Sequence, residues 1–367
     1  MHPGSVLVLA LLAGAQAADT VQYGAFLKTA TYSVANALGF FTKNNLEVVY
    51  NQVPNSTAAF DSILDGQYDI LTATVDNALN YRFNQAQPIT VLGQLDQGPG
   101  LVLAAVQSIT SAKQLKGKPI IVDSPVSGYA YLLRKILSSH GLELGADYYF
   151  MTVGGTAARY SALLTGQLPN GTAVYATILN YPFTEQAAAL NTGKAPSILG
   201  AVADVVAPIT SSAFTIRQQS LADPVTHDRL VRFTQSMYAA NEYLLEPRNK
   251  ECAVSAIAAQ LNITSAIAQS AYTDAINSLT GEVSPDGSFG VSTQGIRNVK
   301  DVRAQYGGFA GAPAGLDFDA ALRPGPGQLI DYGIRDEAVL RQTLSPLKST
   351  CEPSTVNMQA RSGDLGA

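Results

Sequence analysis

Up to about residue 207, short apolar runs alternate with longer stretches in which apolar residues return every three or four positions. The clearest unit is KPIIVDSPVSGYAYLLRKILSSHGL, residues 118–142. Residues 119–122 have the composition of a buried strand, and Asp123-Ser124-Pro125 breaks it. Ser127 stands at a helix N-cap, Leu133, Ile136 and Leu137 follow at helical spacing, and Gly141 closes the helix. Three such units are predicted earlier, with strands over 21–26, 46–53 and 68–74. Their helices are 32–43 after the loop 27–31, one capped by Asn55-Ser56-Thr57 with Phe60, Ile63 and Leu64 on its apolar face, and one opened by Val75-Asp76-Asn77.

A second set follows, with strands at 119–122, 148–153 and 173–179, helices at 157–165 and 183–190, and a bent strand region at 196–207. Between the sets lie strands 89–95 and 101–107, separated by Asp96-Gln97-Gly98-Pro99-Gly100, where the chain is expected to leave its first lobe. Such alternation predicts mainly parallel sheets covered by helices on both faces. Residues 212–217 form a strand returning to the first lobe, after which the pattern turns helical. Asp223-Pro224 starts a helix carrying Leu230, Phe233, Met237 and Leu244, and further helices are predicted over 251–261, 264–277, 293–306 and 329–343. The expected organisation is a signal peptide at 1–17, lobe 1 at 18–103, lobe 2 at 104–209, a helical second part of lobe 1 at 210–345 and a tail at 346–367.

The signal peptide rests on the apolar run 6–13 and the small-x-small triplet Ala15-Gln16-Ala17. No later segment is long and apolar enough to span a membrane, so the expectation is a soluble, secreted protein, or a periplasmic one. With 47% hydrophobic and 14% charged residues among 367, the chain can bury the cores of two lobes. A net charge of -5 without a basic patch argues against nucleic acid or an anionic membrane as partner. Cys252 and Cys351 are the only cysteines, and in an oxidising compartment they suggest one disulfide, the alternative being two buried thiols. Three glycosylation sequons begin at Asn55, Asn170 and Asn262.

In open parallel sheets, ligands bind beyond the carboxyl ends of the strands. Applied to both lobes, this rule nominates Thr29, Thr31, Tyr32, Ser56, Thr57, Thr74, Asp76 and Asn77 from the first, facing Ser124, Ser127, Gly128, Tyr129, Gly154, Gly155, Thr156, Asn180 and Tyr181 from the second. Hydroxyls, amides, aromatic faces and helix N-termini suit a small polar or heteroaromatic ligand held between lobes that close by hinge motion. Asp76 either pairs with a cationic ligand group or takes N–H bonds from its own helix. His140 and His227 fall on helix surfaces without a partner at metal spacing, so neither a metal nor a cofactor is predicted. The sequence contains none of the nucleophile-elbow, phosphate-loop, zinc-protease or C-x-x-C motifs.

The segments TYSVANALGFFTKNNLEVV, AAFDSILDGQYDILTATVDN and LKGKPIIVDSPVSGYAYLLRKIL resemble the SsuA/NMT1/THI5-like solute-binding proteins, the sulfonate, taurine and thiamine-precursor type. The resemblance covers roughly residues 21–210. It implies a type II periplasmic-binding-protein fold, two doubly wound α/β lobes with the ligand in the interlobe cleft. Fungal pyrimidine-synthesising relatives use a lysine, a histidine and a cysteine-rich run. The corresponding helix here, STAAFDSILDGQ, has neither lysine nor histidine, and no cysteine precedes Cys252. The resemblance therefore points to a non-catalytic binder of a sulfonate, pyrimidine or related heterocycle, with a secreted enzyme on the same scaffold as the alternative. A membrane importer is the implied partner if the protein works as its bacterial relatives do.

Overall fold

The computed structural model describes residues 17–190, 193–284 and 286–350. Its ten strands form two five-stranded sheets. The first contains β1 (Asp19–Ala25), β2 (Leu46–Gln52), β3 (Ile70–Thr74), β4 (Ile89–Gln94) and β10 (Ser212–Arg217), ordered β2-β1-β3-β10-β4. The second contains β5 (Val102–Ala105), β6 (Pro119–Val122), β7 (Tyr149–Thr152), β8 (Ala176–Leu179) and β9 (Ser197–Ala201), ordered β7-β6-β8-β5-β9. In each sheet four strands share a direction and one runs against them: β10 between β3 and β4, and β5 between β8 and β9. Those two are the first strands formed after the chain crosses from one sheet to the other. The expectation of mainly parallel sheets therefore holds, with one antiparallel strand in each marking a crossing.

The helices are α1 (Ala30–Ala37), α2 (Phe40–Lys43), α3 (Ser56–Leu64), α4 (Val75–Leu79), α5 (Gly128–Ser139), α6 (Thr156–Thr165), α7 (Phe183–Ala188), α8 (Pro224–Leu245), α9 (Lys250–Leu261), α10 (Ser265–Ala275), α11 (Thr293–Gln305), α12 (Phe318–Ala321) and α13 (Gly333–Leu344). The helix expected over 32–43 is two helices. It starts early because Thr29 caps it, its Oγ1 accepting from Tyr32 N at 3.1 Å, and it breaks at Gly39, whose φ of 71° is left-handed. The region 196–207 is a strand only to Ala201 and then a 3₁₀ turn, Val202–Asp204. Ser127 caps α5 as expected, accepting from Ala130 N.

The helical C-terminal part packs on the first sheet. Tyr23 of β1, Phe41 of α2, Phe214 of β10 and Phe233 of α8 make one buried aromatic cluster, with Phe41 and Phe233 stacked at 5.4 Å. Cys252 lies buried on α9, whereas Cys351 falls outside the described residues, as do residues 1–16 of the expected signal. Among the described residues, no single helix is long and apolar enough to cross a membrane.

The two sheets are clasped through their turns. Gly155 N donates to Pro54 O at 2.8 Å, and Gly128 N to Asn77 Oδ1 at 3.1 Å. A Cβ on Gly128 would stand 2.8 Å from Thr74 Oγ1 and from the Asp76 Cβ, so the close approach of α5 to the first sheet demands glycine.

Candidate functional site

Between the two sets of strand ends lies a narrow cavity of about 50 Å³, room for roughly three to five water molecules. The first sheet contributes Phe26 after β1, Thr72, Ala73 and Thr74 of β3, and Ser212 of β10, and Thr29 and Ser56 come from the caps of α1 and α3. From the second come Asp123 after β6, Ser127 and Tyr129 at the start of α5, Thr156 and Arg159 on α6, and Asn180 and Tyr181 after β8. Leu27, Asp96, Pro99 and Glu282 complete the wall.

Eight of the residues nominated from the sequence line this cavity: Thr29, Ser56, Thr74, Ser127, Tyr129, Thr156, Asn180 and Tyr181. The other nine do not. Thr31 is fully buried and donates its hydroxyl to Asn241 at 2.8 Å, and Tyr32 packs among Tyr23, Phe41 and Tyr50. Thr57 and Ser124 line a groove on the outer side of the same turns. Asn77 and Gly128 bond to each other, Gly155 bonds to Pro54, and the carbonyl of Gly154 accepts from Arg159 Nε at 3.0 Å.

Asp76 needs the plainest correction. It does not line the cavity but is half of a buried ion pair, its oxygens 2.6 and 3.0 Å from Nη2 and Nε of Arg303 on α11. Nor is it the sole acid at the strand ends, since Asp96, Asp123 and Glu282 all reach the cavity.

Each of those acids is held by hydrogen-bond donors of the protein. Asp123 Oδ2 accepts from Ser56 N at 3.1 Å and Ser56 Oγ at 2.5 Å, while Oδ1 accepts from Ser127 Oγ at 2.8 Å, so one carboxylate ties α3 of the first lobe to the second. Glu282 accepts from Ala30 N at 2.8 Å and Thr31 N at 2.6 Å, the free amides at the start of α1. Burial outweighs those bonds and pushes its carboxyl up to about 7. Asp96 accepts from Gly98 N at 2.8 Å, and burial raises its carboxyl too.

Arg159 is the one basic side chain in the wall. It is 1% exposed and, among the described residues, bonds no carboxylate; Nη1 donates to Thr177 Oγ1 and Ile178 O, Nη2 to Thr156 Oγ1 and Nε to Gly154 O. Four of a guanidinium's five N–H groups are thus used, and one remains on Nη2. Desolvation lowers its pKa, opposed by the fields of Asp123 and Tyr129. Three other polar atoms in the wall are buried without a partner: Thr74 Oγ1, Asn180 Oδ1 and the Tyr181 hydroxyl.

Among the wall residues that pattern reading missed are Phe26, Asp96, Asp123, Arg159 and Glu282. An arginine in the first turn of a helix, where the backbone dipole disfavours a cation, is a signal for Arg159. Asp123 sits in the turn already singled out but reads there only as a strand breaker. Glu282 carries no local signal, because it meets Thr31 across 251 positions of chain.

Residues 27–195 match the family described as NMT1/THI5 like. No curated protein matches the sequence. The alkanesulfonate-binding protein SsuA of Xanthomonas axonopodis pv. citri superposes with a TM-score of 0.62 at 15% identity, over 82% of this chain and 96% of that one. The periplasmic nitrate-binding protein NrtA of Synechocystis gives 0.63 at 14%, over 92% and 91%. A conserved Candida albicans gene product with the generic periplasmic binding protein fold gives 0.58 at 16%, over 90% and 96%. The chain has the periplasmic-binding-protein fold, two α/β lobes with the cavity between them.

Proposed function

We propose that the protein is a solute-binding protein that closes its two lobes on a small polar organic ligand, and that the ligand is a nitrogen heterocycle bearing N–H donors rather than a sulfonate. The observation that carries this reading is the set of orphaned atoms in an otherwise satisfied wall. Leaving a buried polar group unpaired costs about 1–3 kcal/mol, so Thr74 Oγ1, Asn180 Oδ1 and the Tyr181 hydroxyl are expected to be completed by a guest. Thr74 lies in the first lobe and the other two in the second, so one guest bonding all three bridges the lobes. The wall's polarity supports the heterocycle: three carboxyl groups against one guanidinium favour a guest that mostly donates, with one acceptor for the spare Nη2 hydrogen of Arg159. Phe26, Tyr129 and Tyr181 supply aromatic surface for a flat ring. The cavity is small because the lobes are closed, and entry requires them to part.

The test is a thermal-shift series with aminopyrimidines, aminopyridines and alkanesulfonates. Stabilisation by an amino-heterocycle is expected, since a ligand at 100 times its Kd adds about 2.7 kcal/mol. No shift with any heterocycle would overturn the reading.

A second reading, an enzyme on this scaffold, is favoured by one observation: Glu282, buried in the wall and near 7, has the acidity a general base needs. Mass spectrometry of the guest after incubation separates the two, because a binder returns it unaltered.

For location we propose export, with delivery to a membrane importer or receptor, and lobe boundaries at the two crossings, 95–101 and 202–211. Exposed Asn170 and Asn262 are the better candidates for glycosylation, since Asn55 uses its Oδ1 to cap α3. The Cys252 to Cys351 disulfide remains part of this proposal.

A further inference from the structure

The N-terminus of α1 would offer the cavity an anion receptor, but the protein's own carboxyl group, that of Glu282, occupies it. Ala30 N and Thr31 N, both buried, give their hydrogens to the two oxygens of Glu282. Glu282 comes from the segment after α10, outside the 27–195 stretch that defines the family match. It is 2% exposed and is held in place by the chain turn itself, with Glu282 N and Val283 N both donating to Ala275 O. A second acid, Asp123, holds the first amide of α3 in the same way through Ser56 N.

An independent observation points to a guest beside Glu282. The Tyr181 hydroxyl is buried, has no hydrogen-bond partner, lines the same cavity and lies within the electrostatic reach of the Glu282 carboxyl. Asp96 adds its own negative field at Glu282. A free oxyanion approaching the Tyr181 hydroxyl would therefore meet carboxyl groups where it needs donors.

We infer that Glu282 is the charge filter of the cleft, a built-in carboxyl group that fills the α1 receptor and, when ionised, makes the cavity refuse free oxyanions while leaving Tyr181 and Asn180 for a neutral or cationic guest. The inference rests on the solute-binding reading and assigns a residue to its selectivity. Removing the side chain should vacate two aligned backbone donors beside an unpartnered hydroxyl, with Arg159 still in the wall, and that is an anion site.

The experiment uses the full chain with methanesulfonate and nitrate as anion probes and an aminopyrimidine series as neutral probes. Titration calorimetry is run at pH 8.5, where the Glu282 carboxyl is ionised, on the wild type, Glu282→Ala and Glu282→Gln, with circular dichroism to establish folding. Wild type is expected to ignore both anions. Glu282→Ala should bind methanesulfonate at least about tenfold more tightly than wild type, and Glu282→Gln, which keeps an acceptor at the amides but loses the charge, should fall between. Wild type binding methanesulfonate as tightly as the variants, or a folded variant gaining nothing, would overturn the inference. Should Glu282→Ala fail to fold, Glu282→Gln decides alone, by a gain or by none. Failure of the solute-binding reading has a different signature, since no aminopyrimidine would then bind the wild type whatever the anions do.

Discussion

The Asp76–Arg303 pair makes a quantitative prediction that does not depend on the ligand. Both side chains are buried, at 4% and 1% exposure. Nε of Arg303 lies 3.0 Å from each oxygen of Asp76 and Nη2 lies 2.6 Å from one of them, while Nη2 also donates to Val126 O at 2.8 Å and Nη1 to Asn80 Oδ1 and Gly308 O. The guanidinium further rests 4.3 Å from the Tyr131 ring centre. Arg303→Met fills a similar volume but strands the Asp76 carboxylate away from water. Removing one partner of a buried pair typically costs about 3–5 kcal/mol, against a total stability of about 5–15 kcal/mol for a globular domain. Urea unfolding followed by circular dichroism should show that loss. Asp76→Asn in the same chain should recover part of it, giving a coupling energy of about 1–3 kcal/mol in the double-mutant cycle. Since Val126 and Tyr131 belong to the second lobe, the variant should also be more open, with a larger radius of gyration by small-angle scattering. A loss below about 1 kcal/mol, or strictly additive mutations, would refute the claim that this pair anchors the clasp.

Two further predictions concern the cavity wall. Burial raises the Glu282 carboxyl from 4.5 to about 7, so the native state binds the proton more tightly than the unfolded chain. The resulting stabilisation, about 3 kcal/mol, is complete below pH 4.5 and is lost as pH rises through 7; urea unfolding at pH 5 and pH 8 measures it, and Glu282→Gln should flatten the difference, whereas an unchanged slope would show that other groups carry it. Tyr181→Phe deletes an orphaned buried hydroxyl, so the ligand-free protein should be unchanged or up to about 1 kcal/mol more stable, while the thermal shift produced by a heterocycle should fall; a clear loss of ligand-free stability would mean that the hydroxyl already has a partner.

What could be read from the sequence divides along a physical line. Strand-turn-helix units are local, and the caps Thr29, Asn55 and Ser127 are each set within four residues of the amide they satisfy. Where a turn both caps a helix and ends a strand, its small polar residues could be nominated by position, and Ser56, Ser127, Thr156 and Asn180 do line the cavity. Position along the chain does not say which way a side chain turns. Thr31 and Thr29 stand two residues apart in one cap, yet Thr31 turns inward to Asn241 while Thr29 borders the cavity. Charge partners were less legible still, because Asp76 and Arg303 lie 227 positions apart and Glu282 and Thr31 lie 251 apart. The 210–345 segment, predicted only as the helical second part of lobe 1, supplies both Arg303 and Glu282.

That division explains how one set of turns can serve both as clasp and as receptor. Asp123 joins the two roles: with Ser127 it completes the α5 turn in the second lobe, and with Ser56 it holds the α3 N-terminus in the first. The bonds from Ser56 exist only when the lobes are together, so closure satisfies Ser56, Gly128 and Gly155 by protein groups alone. The same closure buries Thr74, Asn180 and Tyr181 without satisfying them. The closed state therefore gains bonds at the rim and loses them at the centre, a balance near which a small guest can decide the outcome. A ligand shifts such an equilibrium only by its difference in affinity for the two states, and bonds to Thr74 and Asn180 together can form only in the closed one. On the proposed reading, selectivity and closure are one event: a molecule that completes the central atoms holds the lobes shut, and one repelled by Glu282, Asp96 and Asp123 leaves them free to part.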